Sequence, residues 1–328
     1  MVFCKTNAEV AIATAFREIA NAVTDRLNAD PIAFLNRHTA DNSLMGILEA
    51  VNSALLNESA GQRAVMWEWA KSQPDNEVTR DLRQQIITTA GYQDPELALR
   101  LAGELPKTKQ GDEQIQTLAS SLFNGGSLLS RFDKFFEQAP ERMKQPLLES
   151  AFGFLREETL SDPQTWVARL AGLPEASRVR GAESIARAWA SQTPEETVGW
   201  IKTLSAGDVR DSAVTATISS WAAKDTRGAG EWISTLAGAE RDRGAGILAL
   251  AMLEKEPREA MNWITSIAED TARAQAVAQT ARSIAVRDPA QARQWIETAP
   301  ISPEQKAQLQ SSIGRSPATV SPQTISVP

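Results

Sequence analysis

The sequence predicts an all-α chain, an α-solenoid or superhelix of stacked antiparallel helix pairs that repeats about every 32 residues. Two observations carry this. A Trp-Ile dipeptide stands six positions after a helix-starting residue four times, as Pro194…Trp200-Ile201, Thr226…Trp232-Ile233, Pro257…Trp263-Ile264 and Pro289…Trp295-Ile296, and its tryptophans are 32, 31 and 32 residues apart. Other columns keep that register. Large apolar Trp189, Trp221, Met252 and Ile284 lie five residues before each start, and small Thr197, Ala229, Ala260 and Ala292 lie three residues after it. A fixed period of this length marks a repeat architecture.

Each period holds two helix-sized pieces. Between Gly207 and Ala237, Asp208 or Ser205 can cap a first helix whose apolar stripe is Val209, Ala213, Val214, Ile218 and Trp221. The stripe ends at Ala223-Lys224-Asp225, and a second helix starts near Thr226 with Ala229, Trp232, Ile233 and Leu236. Pro194, Pro257 and Pro289 occupy the matching start, where proline's missing N–H is not needed. The small column predicts that another helix passes close there. One pair cannot bury its own apolar face, so neighbours must stack. Each large apolar side chain then contributes roughly 1.5–3 kcal/mol when fully buried.

The segment Asp288-Pro289-Ala290-Gln291-Ala292-Arg293-Gln294-Trp295 resembles the Asp-Pro junction of tetratricopeptide repeats, with a Trp six residues after the Pro. The resemblance covers about the C-terminal half. It departs from the family in a period shorter than the usual ~34 residues, in a short Trp-bearing helix, and in lacking the Gly and Tyr that follow the Trp. The resemblance implies a TPR-like protein-binding scaffold.

Further upstream, residues 6–28 read as an amphipathic helix, Asp30-Pro31 punctuates, and a helix with Ile32, Phe34 and Leu35 follows. Asp41-Asn42-Ser43 can cap a helix containing Leu44, Ile47, Leu48, Val51 and Leu55. Another runs from about Ala60 to Lys71 with Val65, Met66 and Trp69 as its apolar residues. Pro74, Pro95 and Pro106 mark further breaks, and Asp94-Pro95 with Leu101 repeats the later motif with Leu in place of Trp. Asn124-Gly125-Gly126-Ser127 reads as a helix–helix turn, and Phe132, Phe135, Phe136, Phe152 and Phe154 as core packing. The expected organisation is a degenerate helical-repeat region over 1–160, regular TPR-like repeats over 161–313, and a disordered tail over 314–328, which is Ser, Pro, Thr and Val without periodicity.

The chain has 328 residues and a net charge of −7, which argues against nonspecific nucleic-acid binding. The acidity is N-terminal: residues 1–165 carry 16 basic and 23 acidic side chains, whereas residues 166–300 carry 16 and 17. One cysteine, Cys4, permits no internal disulfide, and there is no apolar run long enough for a membrane span. No signal peptide is visible, so the expected location is cytoplasmic, or periplasmic or secreted if a leader was trimmed.

His38 is the single histidine, and reads as a surface or capping residue far in sequence from Cys4. No HExxH or thiolate zinc motif is present, so no metal ligand, cofactor or catalytic residue is expected. Glu157-Glu158 and Glu195-Glu196 are adjacent pairs that point to different sides of a helix, and Glu195-Glu196 suits a first helical turn. One polar column does recur. Arg178, Arg210, Arg241 and Arg273 are 32, 31 and 32 residues apart, near the start of each first helix. They could bond carbonyls that end a helix, stack on a Trp, or pair with Asp211, Asp242 or Asp270. Alternatively, they form a row that recognises acidic groups on a partner.

The expected function is therefore a non-enzymatic scaffold that binds a protein or peptide through a solenoid face. An accessory domain that positions a cell-envelope or cell-wall enzyme is the alternative, and a catalytic helical toroid with convergent carboxylates is a third. The sequence gives no oligomeric state.

Overall fold

The computed structural model describes residues 29–40, 59–123 and 129–313, with positions 22, 25, 26 and 51. All regular structure among the described residues is helical, with no strand. Apart from positions 22, 25, 26 and 51, which are helical, the expected helices over 6–28 and 41–55, the turn at Asn124–Ser127 and the tail over 314–328 lie outside the described residues. The chain divides into two compact units, residues 1–154 and 155–328.

The first unit contains α1 (Pro31–Ala40), α2 (Ala60–Ser72), α3 (Glu77–Gln93), α4 (Pro95–Glu104), α5 (Lys109–Ser121), α6 (Phe132–Gln138) and α7 (Glu141–Gly153), with a 3-10 turn at Leu129–Arg131 before α6. Helices α3, α5 and α7 pack in succession, and α4 lies against both α3 and α5. The start of α2 is fixed by a capping box between Ser59 and Gln62. Within α2 the buried face differs from the expected one. Val65 is exposed and Trp67 takes the core position, its indole N–H donating to Glu104 at 2.8 Å. Lys71 reaches the same carboxylate at 2.7 Å. Burial by itself would raise the Glu104 pKa, but the Lys71 ammonium and the Trp67 donor outweigh it and hold it below the ordinary range. Phe132, Phe135 and Phe152 are buried, while Phe136 and Phe154 are half-buried; Phe123 stacks on Phe132 and on Phe154 with centroids 6.3 and 5.6 Å apart. His38 is half-buried in the last turn of α1, its ring 4.5 Å from Phe34.

The second unit contains α8 (Pro163–Ala168), α9 (Glu175–Ala190), α10 (Pro194–Ile201), α11 (Asp208–Lys224), α12 (Thr226–Ile233), α13 (Gly238–Met252), α14 (Pro257–Thr265), α15 (Asp270–Ala285), α16 (Pro289–Thr298) and α17 (Pro303–Ser312). The long helices α9, α11, α13 and α15 pack in succession. Each of the short helices α10, α12 and α14 rests against the long helix before it and the one after it.

The short helices begin where the motif places them, and one backbone conformation sets them up. The residues before α4, α8, α10, α12, α14 and α16 are Asp94, Asp162, Thr193, Asp225, Glu256 and Asp288. Their φ values lie between −135° and −144° and their ψ values between 61° and 96°. Proline bars the preceding residue from the helical region. Where Thr226 replaces proline, Asp225 keeps the same geometry by accepting from the amides of Arg227 and Gly228 at 3.1 and 3.0 Å.

The small column is packed throughout: Thr197, Ala229, Ala260 and Ala292 are each 0% exposed. Ile201, Ile233, Ile264 and Ile296 are buried. Trp189 stacks on Trp200 at 6.0 Å and 25°, and the corresponding Trp221 stacks on Trp232 at 6.1 Å and 25°. Trp200 and Trp232 are buried, and Trp263 and Trp295 are half-buried. Two expectations need correction. The N-cap of α11 is Gly207 at φ 140°, with no side-chain cap bond, rather than Asp208 or Ser205. Only glycine takes that backbone without strain. Glu157 and Glu158 lie in a turn and not in a helix, and Glu157 pairs with Lys224 at 2.8 Å.

Candidate partner-binding surface

The arginine column sits where the sequence puts it, near the starts of α9, α11, α13 and α15. Three of its four guanidiniums are held inside the unit. Arg210 donates to the Ile201 carbonyl at the end of α10 at 2.7 Å and forks onto Glu240 at 2.5 and 3.1 Å. Arg241 donates to the Ser266 carbonyl at 2.6 Å and to its hydroxyl at 2.9 Å, at the C-cap of α14. Arg273 donates to the Ile267 carbonyl just beyond α14 at 2.7 Å, to the Pro300 carbonyl beyond α16 at 2.9 Å, and pairs with Asp270. A cation suits the carbonyl end of a helix, where partial negative charge collects. The first unit uses the same device. Arg83 donates to the Ala70 carbonyl in α2 at 3.1 Å, and Arg142 to the Leu105 carbonyl after α4 at 2.9 Å. Arg178 is exposed, and its guanidinium has no hydrogen bond or ion pair among the described residues.

The exposed face of the long helices is a different surface, displaced two residues along the sequence. Two cavities lie on it, of about 380 and 700 Å³, and both are lined by Arg243. Ser212, Arg243 and Gln275 are 31 and 32 residues apart and all line them. Thr215 and Ser219 of α11 border the smaller cavity, and Gly246 of α13 with Ala276 of α15 the larger. A Cβ on Gly246 would stand 3.3 Å from the Ala276 Cβ, so the small residues set how close α13 and α15 come. Arg243 is anchored to Asp211 at 2.9 Å through one terminal nitrogen, and its other, Nη1, is buried with no bond partner. Arg180 is the other arginine at this register, and Ser212 and Gln275 interrupt the column, so the repeat pattern does not single out Arg243.

The carboxylates of the larger cavity are engaged with backbone amides. Asp242 accepts from Ala268 N at 3.1 Å and Glu269 N at 3.0 Å, and Glu269 caps α15 through the amides of Thr271 at 2.9 Å and Ala272 at 2.5 Å. Burial would push the Asp242 pKa up, but the two amides and the Arg241 guanidinium overcome it and hold it below the ordinary range. Amide donation from Thr271 and Ala272 likewise lowers the Glu269 pKa. Both groups are ionised near neutral pH, which suits capping better than proton donation. Among the described residues no group of three His, Cys, Asp or Glu side chains could hold a metal ion, and no helix is long and apolar enough to cross a membrane.

No protein-family model matches the chain, and no curated protein or solved structure matches it.

Proposed function

We propose that the chain is a non-enzymatic interaction scaffold, in which residues 155–313 form a short TPR-like solenoid that holds a protein or peptide partner. The observation that carries this reading is the pair of adjoining cavities along α11, α13 and α15, lined by equivalent positions of successive helices and sharing Arg243. The recurring N-cap geometry and the two Trp pairs of matching spacing and tilt support a repeat of about 32 residues behind that face. Its lining of small side chains interspersed with Ser212, Thr215, Ser219, Gln275 and Gln279 suits an extended segment of a partner, whose backbone such groups can hydrogen-bond. The carboxylates near the larger cavity cap helices, which favours binding over acid–base chemistry.

The test blocks the groove without touching the core. Ser219 and Gln275 are exposed, one at each cavity. Full-length protein carrying Ser219→Trp and Gln275→Trp keeps its melting temperature but loses the partner that the unaltered chain retains in affinity capture with cross-linking. Equal recovery of that partner by the blocked variant refutes the reading.

A further inference from the structure

We infer that the slot around Arg178 receives the C-terminal turn of a helix from a partner protein, one that carries a Lys or Arg in its last turn. The inference rests on the scaffold reading and names the partner's chemistry. Arg210, Arg241 and Arg273 each hold a backbone carbonyl at or just beyond the end of a short helix. Arg178 is the member of that column that holds none, although it stands at the same register in α9. The reason is local. Arg210 reaches back nine residues to Ile201, the last residue of α10, whereas nine residues before Arg178 stands Arg169, already past the end of α8 at Ala168, in a connection that runs through Gly172 at φ 83°.

What lies around the free guanidinium is a cavity of about 340 Å³. Its apolar wall is Leu170, Trp200 and Leu204, and its polar rim is Glu175, Arg178 and Asp208. In the next pair along, the residue matching Asp208 is Glu240, 32 positions on, and it closes the corresponding gap by pairing with Arg210. Aspartate is one methylene shorter, and neither Asp208 nor Glu175 has an ion-pair partner among the described residues. The slot therefore offers one cation to carbonyl oxygens and two carboxylates to cations. An acidic side chain would meet both carboxylates. A helix C-terminus fits all three groups: its last carbonyls accept from Arg178, and its terminal basic residue meets Glu175 and Asp208. The volume is near the low end for ligand pockets and suits one turn of chain with a single apolar side chain against Trp200.

The test uses the full chain and two fluorescein-labelled alanine-based helical peptides, one ending Leu-Lys-Lys-amide and the other Leu-Glu-Glu-amide, followed by fluorescence anisotropy. The basic-ended peptide binds and the acidic-ended one does not. Arg178→Ala weakens binding about tenfold, the scale of one hydrogen bond to a charged group, with an unchanged melting temperature. Glu175→Gln with Asp208→Asn weakens it as well and reduces its salt dependence. Asp208→Glu, which copies the Arg210–Glu240 pair, closes the slot, raises the melting temperature and lowers affinity. Equal binding of both peptides, binding of neither, or full affinity in Arg178→Ala overturns the inference. Because Arg178→Ala leaves Ser219 and Gln275 untouched, a partner still captured through the groove would leave the scaffold reading standing while this one falls.

Discussion

Removing the Arg210 side chain tests whether the arginine column ties successive helix pairs together. Arg210→Ala deletes a fork onto both Glu240 oxygens and the 2.7 Å bond to the Ile201 carbonyl. The two charged side chains are 19% and 22% exposed, so solvent screens them only in part. A fully exposed pair would be worth about 0–1 kcal/mol, and breaking a fully buried one would cost about 3–5 kcal/mol. The observed burial places the loss between these, at about 2 kcal/mol, in line with hydrogen bonds to charged groups. For a unit of this size each kcal/mol moves the melting temperature by roughly 2–4 °C, so a drop of roughly 4–8 °C is expected. Circular dichroism melts and urea titrations measure it, with both followed for a separate transition from each compact unit. Arg210→Lys keeps the charge but loses the fork, and should fall between the two. Arg178→Ala is the internal control; with no partner to lose it should stay within about 0.5 kcal/mol of the unaltered chain. An Arg210→Ala protein that melts with the unaltered chain, or an Arg178→Ala protein damaged as badly, refutes the structural role assigned to this column.

Two further predictions concern the same unit. The folded-state pKa of Asp242 is lowered, so its stabilising contribution is full above the ordinary aspartate value and is lost as pH falls through the folded value. Asp242→Asn should cost about 1–2 kcal/mol at neutral pH and flatten the loss of stability below about pH 4, as read by urea unfolding across that range; an acid limb identical to that of the unaltered chain would remove Asp242 from this role. Ala260 is 0% exposed, so Ala260→Leu should overpack its site and cost about 1–3 kcal/mol in a thermal melt, whereas an unchanged melting temperature would mean that no close helix approach exists there.

Helix identity and helix starts were legible because they depend on neighbours in sequence. Pro194, Pro257 and Pro289 mark starts by local sterics, and the columns at Ala229 and Ile233 report burial through periodicity. Errors fell where periodicity is ambiguous. In α2 both Val65 and Trp67 can be fitted to an apolar stripe, and Trp67 takes the core position because its N–H finds Glu104, which is 37 residues away. The cap of α11 has no side-chain signature, because Gly207 acts through its backbone while Asp208 and Ser205 beside it carry the side-chain oxygens of a typical cap. At the candidate surface, the arginine column was visible as spacing, yet its two possible roles have the same spacing. Arg243 shares its register with Arg180, but Ser212 and Gln275 in the same column differ from it in charge and size, so the column does not read as a row of arginines.

By itself the sequence determined that the chain is helical, where the short helices begin, and which residues of the latter half face inward, because capping, proline sterics and 3.6-residue periodicity act over a few positions. Tertiary structure alone decided which arginines are engaged. A guanidinium is occupied or free according to whether a carbonyl from another helix arrives within about 3 Å of it. That distance is set by where the preceding short helix ends and how closely the helices approach, as the contrast between Arg210 and Arg178 illustrates.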